Sequence, residues 1–325
     1  MRHIIQALAL AVCLSCDAAG LAFAQTYPAK PVRMVVPFPP GGAADLIGRV
    51  LAQRLSEQVG QPVTVENRAG ASGNIGADAV AKAPGDGYTI LLGALTSHAI
   101  NHTLERKVLR YDLEQDLSPV MIVATVPYAL VVHPSVPARS MQEFIAYARS
   151  RPGHLSYGSS GAGAPQRLAA EMFKLKTGID MLHVPYKGSG QVINDLIGGQ
   201  VLVAFESVPA ALPHIRGGKL RALAVTTTQR IPMLPDVPTV DEAASFSFAV
   251  SSTFGILAPA GTPRAIIERL NAALTDAVRA PDVKERLLQQ GAFAESTTPE
   301  EAARRIRSEI ALWAKVINEA NLKPD

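Results

Sequence analysis

Val32, Met34, Val35 and Val36 form a β-branched and apolar run that is cut off by prolines and glycines, and in VRMVVPFPPGGAAD (Val32–Asp45) the pattern turns helical near Ala43. Strand, stiff turn and helix in immediate succession restrict what the chain can become more than any other stretch does. Pro37, Pro39 and Pro40 lack an N–H and fix φ, while Gly41 and Gly42 let the backbone approach a partner closely. The N–H groups of the first helical turn point into the space above the strand's end, where an anion is favoured. This loop is expected to hold an anionic small molecule.

The alternation continues. A helix over about Ala43–Val59 sets Leu46, Ile47, Val50, Leu51 and Leu55 at helical spacing, and Gly60-Gln61-Pro62 ends it. Val63–Val65 reads as a short strand and Glu66–Gly76 (ENRAGASGNIG) as a glycine-rich structural loop before a helix to about Ala83. Pro84–Gly87 is a turn and Tyr88–Leu92 a buried strand. Repeated strand and helix argues for a mainly parallel sheet covered on both faces.

The apolar run that follows Pro119 carries Pro127 in its middle. A continuous central strand excludes that proline, but a strand leaving one sheet and entering another accommodates it, so a crossover is expected there. The scheme then repeats: a helix over about Ser140–Ser150, a strand Leu155–Tyr157, a loop Gly158–Pro165, and a helix to Thr177. A strand Met181–Val184, a turn Pro185–Ser189, a helix to Leu196 or Ile197, and strands Val201–Glu206 and Leu220–Val225 follow. Phe254–Leu257 is expected to return the chain to its first half. The last helices are expected to start at Thr262-Pro263 and Thr298-Pro299, each a threonine N-cap with proline behind it, and Thr298 with Glu301 makes a capping box. Trp313, in line with Ile306, Ile310 and Ile317, is expected in the core.

With 325 residues, 48% hydrophobic and 18% charged, the chain is long enough for two globular domains. A net charge of +3 with scattered basic residues argues against nucleic acid as a partner. Arg2 and His3, the apolar Ile4–Leu14 and the Ala22-Phe23-Ala24 site resemble a secretory signal over residues 1–24, cleaved before Gln25. Cys13 and Cys16 both lie within it, so cleavage leaves no thiol; a lipoprotein anchored at Cys16 is the rival, and Cys13-Leu14-Ser15 fits a lipobox poorly. Beyond it no run reaches the roughly 18 apolar residues of a membrane span. The mature chain is expected in the periplasm, without membrane insertion and as a monomer.

YGSSGAGAPQR (Tyr157–Arg167) is the counterpart of the opening motif: a strand ends in a glycine-rich turn that opens a helix, with Pro165 suited to its first turn. One helix end contributes only about 0.3–2 kcal/mol to an anion. Micromolar affinity needs about 8 kcal/mol, so several charge-assisted hydrogen bonds of about 1.5–3 kcal/mol each must act together. Two such loops closing from opposite lobes would supply them.

These motifs carry a family resemblance. PVRMVVPFPPGGAAD, VTVENRAGASGNIGADAVAKAPGDGYTILLG, YGSSGAG, HVPYKGS, LIGGQV, GKLRALAVTT, LPDVPTV and FGILAPAGTP occur in the order seen in the periplasmic solute-binding proteins of tripartite tricarboxylate transporters, the Bug proteins, over essentially the whole mature chain. The resemblance implies an α/β, two-lobed periplasmic-binding-protein (Venus-flytrap) fold with a mainly parallel sheet in each lobe and crossover strands between them. Lobe 1 would take 25–125 and, after the return, 251–325; lobe 2 would take 126–250. It also implies a small carboxylate as ligand, bound largely by main-chain groups and ordered waters, and membrane transporter subunits as partners. A sensor docking a histidine kinase is the alternative.

Carried over, the first loop is Phe38, Pro39, Pro40, Gly41, Gly42, Ala43, Ala44 and Asp45, and the second is Ser159, Ser160, Gly161, Ala162, Gly163 and Ala164. This chain departs from the family at Ala43, Ala44, Ala162 and Ala164-Pro165, where hydroxyl or amide side chains are common, and at Arg167, where His is common. Fewer side-chain donors favour backbone recognition and a mono- or dicarboxylate with an apolar or aromatic body over citrate. Arg167 either clamps a ligand carboxylate or is a solvated arginine. Asp45 either orders bridging waters or stabilises its own helix. Ser97 and His98, just after the strand ending at Gly93, either reach the cleft or serve a satisfied structural role; Glu206 suits a ligand amino or hydroxyl group; Tyr186 and Lys187 contact the site or brace a hinge. Gly158–Ala162 lacks the last glycine of GxSxG, and His98, His102, His133, His154, His183 and His214 show no HExxH spacing. No enzyme activity, cofactor or metal is expected.

Overall fold

The computed structural model describes residues 27–161 and 163–324, so the expectations for the leader 1–24 with Cys13 and Cys16, and for Ala162, lie outside the described residues. β1 (Val32–Val36) runs parallel between β2 (Val63–Asn67) and β3 (Thr89–Ala94), with Val35 opposite both Glu66 and Leu91. β3 pairs antiparallel with β9 (Ser251–Pro259), which pairs antiparallel with β4 (Leu117–Val132). β4 is one strand of 16 residues that serves two sheets. Up to Pro127 its partners are β9 and, at Ala124 and Thr125, the two-residue strand Phe293–Ala294; from Tyr128 its partners are β7 (Val203–Ser207) and β8 (Arg221–Val225). β7 is parallel to β5 (Leu155–Ser159), and β5 to β6 (Met181–Pro185). The proline thus sits where the ladder changes partners, as the crossover reading required. The return strand is also found, as β9, although it is longer than Phe254–Leu257.

Helices cover both sheets. α1 (Ala43–Val59) buries Ile47, Val50, Leu51 and Leu55 against the first sheet and α9 (Arg264–Arg279). Four buried aliphatic side chains contribute about 6–12 kcal/mol, so packing rather than propensity holds this helix. α2 (Asn74–Ala81) follows a single turn at Ala71–Gly73 inside the glycine-rich stretch. In the second lobe come α4 (Met141–Arg149), α5 (Pro165–Thr177) and α6 (Ser189–Ile197). α11 (Pro299–Glu319) buries Ile306, Trp313 and Ile317, as expected, and packs on β4.

Several elements differ from the sequence reading. α3 (Leu95–Leu104) follows β3 directly and was not anticipated: Leu95 to Asn101 are all buried, and a helix buried all round shows no amphipathic stripe. α7 (Val208–Arg216) was hidden by Pro213, which costs one intrahelical bond in a helix of nine residues. α8 (Val240–Ala244) and α10 (Pro281–Gln289) were also unforeseen, the first despite a Thr239–Glu242 capping box. Thr262 is not an N-cap; Pro263 holds that place, and the Thr262 hydroxyl donates to the Pro259 carbonyl at 2.7 Å, closing a turn. Thr298 and Glu301 form the expected box. Among the described residues no helix is long and apolar enough to cross a membrane.

Candidate ligand-binding cleft

Because β3 and β4 both run antiparallel to β9, β4 leaves the first lobe in the direction of β1, β2 and β3. In the second lobe β7 opposes β4, and β5 and β6 follow β7. The carboxyl ends of the two parallel sets therefore face each other. Through Phe254 the end of β3 is level with Ala124 of β4, and the end of β7 is level with Tyr128. Four residues of strand separate the two levels by roughly 13 Å. Ligands of α/β proteins bind beyond the carboxyl ends of strands.

Six helices begin past these six ends: α1, α2, α3, α5, α6 and α7. Each starts without a side-chain cap. Of the helices that start elsewhere, α4, α8 and α11 are capped by Ser140, Thr239 and Thr298, whereas α9 and α10 have no side-chain cap. Uncapped first turns leave N–H groups and the positive end of the helix dipole toward the gap.

In the first loop Pro40, Gly41 and Gly42 are exposed, Phe38 and Ala43 half-buried, and Ala44 and Asp45 buried. Gly41 has φ +83°, a conformation that favours glycine. Its N–H donates to Asp45 Oδ2 at 3.0 Å, and the same carboxylate accepts from Arg49 at 3.0 and 2.9 Å and from the Asn67 amide at 2.9 Å. Asn67 also donates to the Phe38 carbonyl at 3.1 Å. Burial opposes ionisation of Asp45, but the hydrogen bonds from Arg49, Gly41 and Asn67 outweigh it and hold the carboxyl below its ordinary range. Asp45 is thus the brace that fixes the loop to the end of β2. Arg49 at i+4 was readable as its partner; Asn67 was not.

The second loop is braced likewise. The buried Ser159 hydroxyl is 2.7 Å from His183 Nε2 and 3.1 Å from the Gly161 carbonyl. Ser160 donates to the Gln166 carbonyl oxygen at 3.1 Å, and the Gln166 amide donates to Ser189 and Glu206 at 3.2 and 3.4 Å. Ala164 is the N-cap of α5, with Pro165 behind it as expected. Half-buried Arg167 donates to the Lys323 carbonyl at 3.2 Å, which ties α5 to the C-terminal segment. Tyr186 donates to Asp195 at 2.8 Å and Lys187 N–H to Gln191 at 3.0 Å, the bracing role.

The two loops meet through the stretch read as structural, Glu66–Gly76. A Cβ on Gly73 would lie 3.1 Å from the Phe38 ring and 3.2 Å from His98, and one on Gly161 3.7 Å from the Ser72 hydroxyl. One on Gly163 would lie 1.9 Å from Asn101 Oδ1. Ser72, Gly73 and Asn101 join the two loops, and sequence reasoning had passed over them. Ser97 and His98 are buried in the first turn of α3. His98 Nδ1 is 3.0 Å from the Tyr111 hydroxyl, and burial pushes its pKa from 6.5 down to about 4. The unfolded chain therefore takes up a proton that the folded one refuses, and stability present above pH 6.5 is lost as pH falls toward 4. Urea unfolding at about pH 7 and about pH 5 should show a loss of about 2 kcal/mol that His98→Gln lacks. Equal slopes in the two proteins would contradict the buried neutral imidazole.

Residues 47–322 match the model of the tripartite tricarboxylate transporter family receptor. Protein BugT of Bordetella pertussis is 41% identical over 300 residues, 92% of each chain. Among solved structures, R. palustris Rpa4515 with adipate superposes with a TM-score of 0.85 at 38% identity, over 92% of this chain and 100% of that one. MatC (Rpa3494) from Rhodopseudomonas palustris with bound malate gives 0.82 at 32% identity, over 90% of this chain and 100% of that one. With this match over most of its length and the opposed strand ends of a two-lobed binding fold, the chain belongs to the tripartite tricarboxylate transporter receptors, the Bug-type periplasmic binding proteins.

Proposed function

We propose that this protein is exported to the periplasm, captures a small carboxylate between its lobes and delivers it to a tripartite tricarboxylate-type membrane transporter, without chemical change to the ligand. Lobe 1 comprises 25–125 and 251–325 and lobe 2 comprises 126–250, after a signal over 1–24. The observation that carries this reading is the convergence of six helix starts, none capped by a side chain, on one gap between opposed strand ends. The ligand is held by main-chain N–H groups of Phe38–Asp45 and Ser159–Ala164 and by waters ordered there. The relatives bound to adipate and to malate support a carboxylate of this size. Alanines at 43, 44 and 164 leave few side-chain donors and favour a ligand with an apolar body.

A thermal-shift screen over adipate, malate, succinate, citrate, benzoate, sugars and sugar phosphates tests the reading. A ligand at about 100 times its Kd adds about 2.7 kcal/mol to stability, and a mono- or dicarboxylate should give the largest rise in Tm. A response confined to sugars or phosphorylated compounds would refute the carboxylate assignment.

A further inference from the structure

The two oxygens of the fully buried Glu206 carboxyl have unlike surroundings. Oε1 accepts from the Ser207 N–H at 2.7 Å, the Ser189 hydroxyl at 2.8 Å and the Gln166 amide at 3.4 Å. Oε2 is buried and has no hydrogen-bond partner among the described residues. A buried carboxyl oxygen in that state is costly and calls for a partner. Glu206 stands at the carboxyl end of β7, opposite Ala129 of β4, two residues past the point where β4 passes from one lobe to the other. Through Gln166 it is linked to Ser160 of the second loop.

We propose that Glu206 bears a proton on Oε2 and donates it in a hydrogen bond to a carboxylate oxygen of the captured ligand, so that a neutral acid reads one end of the anion. This rests on the carboxylate-binding function proposed above. Three donors occupy Oε1 and mark it as the carbonyl-type oxygen, which leaves Oε2 for the proton. An ionised Glu206 beside a ligand carboxylate would set two like charges together in a site closed to water. Burial raises the pKa of Glu206, against the hydrogen bonds from Ser207, Ser189 and Gln166 that favour its charged form.

Neighbouring groups do not reverse this. From β4 the facing group is the Tyr128 phenol, kept neutral by burial, and behind it stands Glu309 of α11, whose pKa burial also raises. On α5, Arg167 is turned to the Lys323 carbonyl, and Lys174 is paired with Glu171 at 3.2 Å, which also accepts from Tyr157 of β5. On α6, Asp195 accepts from Tyr186, and on α7, His214 and Arg216 occupy the last turn, at the far end from Ser207. Among the described residues none of these is hydrogen-bonded to Oε2.

Two measurements decide. With glutamate labelled at Cδ, carbon NMR of the free protein should show one carboxyl, absent in Glu206→Gln, that titrates above the ordinary glutamate range of about 4.3; an ionised resonance at and below that value overturns the proposal. Calorimetric titration with adipate and malate should show wild-type affinity falling about tenfold per pH unit above that pKa. Glu206→Ala should bind about tenfold to a hundredfold more weakly. Glu206→Gln keeps a donor but cannot titrate, so it should recover most of that loss and show no pH dependence. If Glu206→Gln binds as weakly as Glu206→Ala, the carboxylate serves as an acceptor, for example for a ligand amino group, and the proposal fails while the binding function stands. If no carboxylate binds the wild type, the function fails, and the NMR titration still decides where the proton sits.

Discussion

Replacing Gly163 by alanine is expected to weaken carboxylate binding by about fivefold to a hundredfold while leaving the unfolding transition of the ligand-free protein nearly unchanged. The new Cβ would sit 1.9 Å from Asn101 Oδ1. Asn101 has little room to yield, because it is buried and its amide donates to Asn74 Oδ1 at 3.2 Å and to the Ser72 carbonyl at 3.4 Å. Overpacking of this kind costs about 1–3 kcal/mol, and here the cost falls on the arrangement in which the lobes touch. Lobes that move apart escape it, so the substitution shifts the population toward an open form that binds weakly. Calorimetric titration with the best carboxylate of the screen measures the loss, and adding Asn101→Ala should recover part of it by restoring space. Undiminished affinity in Gly163→Ala would mean that the ligand-bound protein does not use this contact.

Asp45→Ala should lower stability by about 1.5–3 kcal/mol, because one change removes a charged acceptor shared by the Gly41 N–H, the Arg49 guanidinium and the Asn67 amide. For a protein of this size that corresponds to a fall in Tm of about 2–5 °C. The sign of the pH effect follows from the depressed pKa. The contribution is fully present above the ordinary carboxylate value of 3.8 and is lost as pH falls below it. Binding should weaken as well, since the loop keeps only the Asn67–Phe38 bond of its two side-chain ties to β2. A melting temperature within one degree or so of wild type would show that the loop is held by its prolines alone.

Residues that announce themselves locally were legible in the sequence. The β1–α1 turn, the start of α5 behind Pro165, the box at Thr298 and Glu301, and the burial of Trp313 depend on residues a few positions apart. Pro127 even disclosed where β4 changes sheets, because a proline cannot donate to a central ladder. α3 escaped because a helix buried on every side has no polar face to betray its period, and α7 because a proline masked it. Arg167 reads in the sequence as a ligand clamp or a solvated cation, and only the structure gives it a carbonyl of the C-terminal segment as a partner.

Most of the order of strands and helices and the two glycine-bearing loops were therefore set down in the chain, since periodicity and turn chemistry act over short separations. Only the tertiary structure decided that Ser72 and Asn101 of one lobe meet Gly161 and Gly163 of the other, that Asn67 holds Asp45, and that, among the described residues, Glu206 keeps one oxygen without a hydrogen-bond partner. Those contacts join residues far apart along the chain, and no local pattern encodes them. They follow from the register of β4 and β9, which aims two sets of strand ends at each other.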